Sequence, residues 1–114
     1  MPEGSERFHW PLGPALSGIS PESTLRSNTV FTHGTLRLLV YAPRGDDPQQ
    51  PHDQDEVYVI QTGTGWFVNG ADRHRFGPGD SLFVPAGVEH RFEEFSDDLS
   101  MWVVFWGPDG GESA

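Results

Sequence analysis

Turn-forming residues recur so densely in this chain that the segments between them have room for short strands and little else. From about residue 25 the signals fall at His33-Gly34, at Pro43 through Pro51, at Gly63-Thr64-Gly65 and at Asn69-Gly70. They continue at Gly77-Pro78-Gly79-Asp80, Pro85-Ala86-Gly87, Ser96-Asp97-Asp98 and Gly107-Pro108. Gly supplies positive φ, Pro fixes φ, and Asn, Asp and Ser hydrogen-bond their own backbone, so each cluster turns the chain for a physical reason. The segments left between them are Thr29–His33, Thr35–Ala42, Glu56–Thr62, Trp66–Asn69, Asp72–Phe76, Ser81–Val84, His90–Phe95 and Leu99–Trp106. They favour β-branched and aromatic residues, most clearly in Glu-Val-Tyr-Val-Ile-Gln-Thr at 56–62. Eight short strands and no convincing helix predict an all-β fold, a small antiparallel sandwich or barrel.

A chain of 114 residues holds one domain with one modest core. Hydrophobic content of 35%, with 12% aromatic, is too rich in core-forming residues for a disordered chain, even at a net charge of −10. Residues 1–24 read as an N-terminal arm, irregular or packed on the domain or a partner through Phe8, Trp10, Leu12, Leu16 and Ile19. Residues 25–107 read as the barrel and 108–114 as a loose tail. No repeat, linker or second domain is visible.

What is missing narrows the chemistry. The chain has no Cys, which removes disulfides, zinc–thiolate sites, iron–sulfur ligation and thiol nucleophiles. It also has no Lys, which removes Schiff-base catalysis and leaves Arg, His or backbone N–H to hold any substrate anion. Seven Arg against 17 Asp and Glu, with no basic run, oppose a phosphate backbone, so no nucleic-acid partner is expected. No apolar run nears the roughly 18 residues of a spanning helix, and Met1-Pro2-Glu3-Gly4-Ser5-Glu6 lacks the regions of a signal peptide. The expectation is a soluble cytoplasmic protein with no membrane partner.

Of five histidines, His52 and His90 stand in telling contexts: His52 precedes Glu56 at the mouth of a strand, and His90 opens another strand after a turn. Residues an even number apart share a strand face, so Gln50, His52, Glu56, Tyr58 and Ile60 have common parity. If both segments face one interior, two imidazoles and one carboxylate converge, a donor set suited to Fe(II), Mn, Ni, Co or Zn. Taken alone, His-x-x-x-Glu is a weak signal, because such pairs are usually surface groups. His33 and His74 read as turn and surface residues, and Asp46-Asp47 and Asp97-Asp98 as solvated turns. Arg37 and Arg91 are candidate anion anchors, though a solvated strand face is the simpler reading of each.

The second segment adds weight. Gly79, Pro85, Gly87 and His90 fit the pattern Gly-(x)5-Pro-x-Gly-(x)2-His-(x)3-Asn, with Glu94 at the terminal Asn. His52, Glu56 and Gly63 fit Gly-(x)5-His-x-His-(x)3–4-Glu-(x)6-Gly, with Arg44 at the opening Gly and Gln50 at the first His. With these seven landmarks, and fifteen residues between the motifs, the chain resembles the short microbial form of the cupin superfamily over roughly residues 30–106. The resemblance implies a double-stranded β-helix, a jelly-roll-like barrel holding one divalent transition metal (Fe, Mn, Ni or Zn). By position its ligands are His52, Glu56 and His90, with Gln50 a weak fourth where the family has His.

Two imidazoles and one carboxylate also resemble the triad of non-haem Fe(II) oxygenases. That tilts the functional reading toward a dioxygenase acting on a small organic molecule. A Zn, Mn or Ni isomerase, cyclase or lyase is the alternative, with Glu94 or Tyr58 as weak base candidates. A binding module without turnover is the third reading. Small cupins commonly dimerise, and the aromatic arm with outward-facing Val57 and Val59 offers apolar surface for a homodimer.

Overall fold

Alternating inward and outward side chains sort the strands onto two facing sheets. The computed structural model describes residues 8–113. Its elements are α1 (Leu12–Ser17), β1 (Ser27–His33), β2 (Leu36–Tyr41), β3 (Asp55–Thr62), β4 (Gly65–Asn69), β5 (Asp72–Phe76), β6 (Ser81–Val84), β7 (His90–Glu93) and β8 (Ser100–Trp106). One sheet has the order β1-β2-β8-β3-β6 and the other β5-β4-β7, with every pairing antiparallel. The all-β architecture expected from the turn spacing is the one observed.

The two inner faces meet in one core. The five-stranded sheet contributes Leu39, Tyr58, Ile60, Val84, Met101 and Val103, and the three-stranded sheet contributes Phe67, Phe76 and Phe92. Rings dominate the smaller sheet because few strands must fill the space opposite a larger one, and each phenyl buries more area than an aliphatic side chain. Phe92 is the hub, with ring centroids 4.7 Å from Phe67, 5.0 Å from Tyr58 and 5.3 Å from Phe76. On the outer face of the larger sheet, Val57 and Val59 are half-buried, as their parity requires.

Of the two forms its sequence allows, irregular or packed, the N-terminal arm takes the packed one from Leu12 onward. It folds into the six-residue α1, whose Ala15, with Ile19 just beyond, packs on Val40 and Ala42 from outside the barrel. Pro14 lies in the first turn, where its missing N–H costs nothing, and Gly18 ends the helix. Asn28 of β1 donates from Nδ2 to the Ala15 carbonyl at 2.9 Å, tying the helix to the sheet. So short a helix, with Gly and Pro inside it, leaves no periodic signature. The tail differs from a loose end: Gly110 N–H donates to the Asp53 carbonyl at 2.7 Å, and Glu112 N–H to Asp55 Oδ2 at 3.0 Å.

Gly63 shows why a landmark glycine is needed. Its φ is +96°, and an added Cβ would sit 2.6 Å from Leu99 Cα. Gly79 has a φ of +88° with open space around it. Gly63→Ala is therefore expected to cost about 1–3 kcal/mol, and more than Gly79→Ala, because a backbone clash adds to the strained φ. Paired urea denaturation curves check this, and equal midpoints for the two variants would contradict it.

Candidate metal centre

Period-two alternation in β3 turns Glu56, Tyr58 and Ile60 inward, and all three are buried. His52 lies in the loop just before β3. His90 is the first residue of β7, on the opposing sheet. The Pro85-Ala86-Gly87 turn holds the two segments together, for Gly87 N–H donates to the His52 carbonyl at 2.7 Å and Ala86 N–H to Asp55 Oδ1 at 3.0 Å.

The three side chains that the two motifs single out meet in one place. His52 Nε2 is 2.7 Å and His90 Nε2 is 3.3 Å from Glu56 Oε1, and the two imidazole centroids are 4.8 Å apart. Despite that closeness, none of these three buried atoms makes a hydrogen bond of acceptable geometry. Their other ring nitrogens explain why. His90 Nδ1 lies 2.8 Å from the Val88 carbonyl and His52 Nδ1 3.3 Å from the Gln54 carbonyl. A carbonyl only accepts, so each Nδ1 carries a proton; in the neutral ring, the form that binds a metal, each Nε2 then presents a lone pair, while in the imidazolium it would donate to Glu56. Two lone pairs and a carboxylate oxygen, buried together, form a donor set that fits a divalent metal, and backbone carbonyls orienting the far ring nitrogens are the usual support for such ligands.

Electrostatics point the same way. Burial pushes the Glu56 carboxyl up, but the two imidazoles outweigh it and hold the group below the usual carboxylate range. Burial pushes His90 down, yet the Glu56 carboxylate and the Val88 carbonyl raise it above the ordinary imidazole value. The pocket favours positive charge at this point.

The centre opens into a cavity of about 460 Å³ whose walls include Arg37, Leu39, Tyr58, Val103 and Phe105. Tyr58 donates its hydroxyl to Gln49 Oε1 at 2.9 Å. Gln49 Nε2 donates to Asp47 Oδ2 at 2.7 Å, and the same oxygen accepts from Phe92 N–H at 2.9 Å. Tyr41 also donates its hydroxyl to Asp47. Asp47 is thus a clamp between the loop and β7, not the solvated turn residue its composition suggested. Burial, with the Glu56 carboxylate second, pushes the Tyr58 phenol well above its ordinary value, so Tyr58 is a hydrogen-bond donor in this environment.

Other candidates fall elsewhere. Gln50 borders the cavity but is exposed, and it is Gln49 that reaches Tyr58. Glu94 does not keep strand parity with His90, because β7 ends at Glu93 and Glu94 has a φ of +49°. Its carboxylate lies outside the cavity, paired with Arg73 at 3.2 Å. His33 stacks on Phe31, while His74 and Arg91 are exposed on the three-stranded sheet, with Arg91 paired to Glu93 at 2.7 Å. Arg37, read first as a solvated strand residue, lines the cavity. Arg37 shares parity with Leu39 and Tyr41, but apolar residues on both faces of β2 kept that parity from marking the interior.

The fold and centre together define a small β-barrel with a two-histidine, one-glutamate site at one end of its interior. The Cupin domain family matches residues 37–106, and the chain belongs to it. An uncharacterised protein of Streptomyces coelicolor is 41% identical over 63 residues, covering 55% of this chain and 60% of that protein. The dimethylsulfoniopropionate lyase DddQ of Ruegeria pomeroyi is 36% identical over 73 residues, covering 62% of this chain and 36% of the lyase. The matches thus span less than two thirds of both relatives. The DddQ crystal structure superposes with a TM-score of 0.64 at 25% identity, over 74% of this chain and 47% of that one. A cupin 2 conserved barrel domain protein from Salinispora arenicola has a TM-score of 0.62 at 23% identity, over 86% and 87% of the two chains. Among the described residues no helix is long and apolar enough to cross a membrane.

Proposed function

We propose that this cupin is a metal-dependent enzyme acting on a small organic molecule, with His52, Glu56 and His90 holding one divalent transition metal. The observation that carries the proposal is the buried convergence of three donor atoms that no protein hydrogen bond satisfies. A metal bound there supplies Lewis-acid polarisation of a substrate group or, as Fe(II), a place to activate O₂.

Lyase-type chemistry is the favoured class. It is supported by the likeness to DddQ, together with the Tyr58 hydroxyl fixed by Gln49 on the cavity wall beside Glu56. Tyr58, its proton committed to Gln49 and its phenol held well above the ordinary value, would accept a hydrogen bond from substrate rather than act as a base, and Leu39, Val103 and Phe105 give the cavity an apolar wall. The two-histidine, one-carboxylate donor set itself favours a second reading, Fe(II)-dependent dioxygenation.

Elemental analysis of protein purified without chelator, followed by a substrate screen with an oxygen electrode, separates the readings. Zinc, manganese or nickel with turnover that consumes no O₂ is the expected result. Iron with substrate-dependent O₂ uptake would establish the oxygenase. Ligand-induced stabilisation with no turnover by any metal form would reduce the domain to a binding module.

A further inference from the structure

The geometry points to Arg37 as the anchor for a substrate carboxylate, so that the cavity takes a small organic acid with its anionic end on Arg37 and its reacting end at the His52–Glu56–His90 centre. This inference rests on reading the cavity as a substrate site, and it names the substrate class.

The register of three neighbouring strands sets the spacing. Arg37 of β2 is opposite Phe105 of β8, and Phe105 is opposite Glu56 of β3. The three residues form one row across the inner face. With strands about 4.8 Å apart, the backbones of Arg37 and Glu56 are about 10 Å apart. Phe105 fills the interval: the Arg37 guanidinium lies over its ring, 4.4 Å from the centroid, and the His52 ring meets it edge-on at 4.5 Å. A cation and a metal-binding centre thus face the same cavity with one phenyl ring between them.

Arg37 is also a charge without a counter-charge. In a chain with 17 Asp and Glu, it makes no ion pair with a carboxylate among the described residues. Its one hydrogen bond is long, from Nη2 to the neutral Gln54 Oε1 at 3.3 Å. Arg73 and Arg91, by contrast, are paired with Glu93. A half-buried guanidinium with most of its five donors unused is matched to a planar carboxylate, which it can hold by two parallel hydrogen bonds. Arg37 is the one Arg on the cavity wall among the described residues.

Calorimetric titration of the metal-loaded protein with acetate, propionate, butyrate and benzoate, each beside its neutral amide, tests the assignment. Wild type, Arg37→Lys and Arg37→Gln are compared, with metal content measured on the same samples. At least one acid should bind wild type in preference to its amide. Arg37→Gln should weaken that acid about 10- to 100-fold at unchanged metal content, the loss expected for charge-assisted hydrogen bonds. Arg37→Lys should keep part of the preference. Acid binding that Arg37→Gln leaves intact but chelation abolishes puts the carboxylate on the metal and overturns the role of Arg37. So does the absence of any acid-over-amide preference in wild type. Arg37-dependent binding by wild type that holds no metal keeps the anchor and overturns the metal reading instead.

Discussion

Replacing His90 by alanine is expected to strip the divalent metal from the protein, with affinity falling by more than the 10- to 100-fold typical of losing an outer-shell partner. His90 is 2% exposed, and its Nε2 is one of the three buried atoms left without a hydrogen bond. Among the described residues no further His reaches the centre, and the chain has no Cys. His33→Ala and Glu94→Ala should retain full metal, for neither side chain reaches the site. Metal content after exhaustive dialysis reads all three variants. If His90→Ala holds as much metal as His33→Ala, the centre has been misassigned.

Phe92→Ala should be strongly destabilising, at about 3–5 kcal/mol, the range for removing a buried ring. Phe92 is 2% exposed and joins Tyr58 to Phe67 and Phe76 across the two sheets. Its backbone N–H bond to Asp47 survives the substitution, so the loss reports packing rather than the clamp. Phe83→Ala is the natural comparison. That ring is 50% exposed, and its removal should move stability by only about 0.5 kcal/mol, as at ordinary surface positions. Urea midpoints that fail to separate these two variants would show that the core is not centred where the rings place it.

Strand positions were legible in the sequence because they depend on local rules, whereas the grouping of His52 and Glu56 with His90 was legible only through the joint spacing of the two motifs and the family resemblance it carries. Turn residues bound each strand, and alternation fixes which side chains of 56–60 face inward. Those rules fail where the backbone leaves the regular geometry they assume. Glu94 has positive φ, so even spacing from His90 no longer means a shared face. Arg37 was obscured for another reason: β2 is apolar on both faces, with Leu36, Leu38 and Val40 outward and Leu39 and Tyr41 inward. Hydropathy therefore carried no sign of which side is the interior. Asp47 was hidden by range, since its bond to Phe92 spans 45 residues and loop composition holds no trace of such a partner. The arm was hidden by brevity, because a six-residue helix gains its order from packing on Val40 and Ala42 rather than from propensity.

His52 and Glu56 come from the β3 side of the barrel and His90 from β7 on the smaller sheet. A cation held by all three would weld two layers that otherwise meet through side-chain packing, the Asp47 bond to Phe92 N–H and the Asn69 Nδ2 bond to the Phe83 carbonyl. Metal release and the parting of the layers then become one event recorded by two clocks. The amide protons of β7 should exchange with solvent at a rate set by cation occupancy, while those of β3, paired with β6 and β8 on either side, keep slow exchange with or without it.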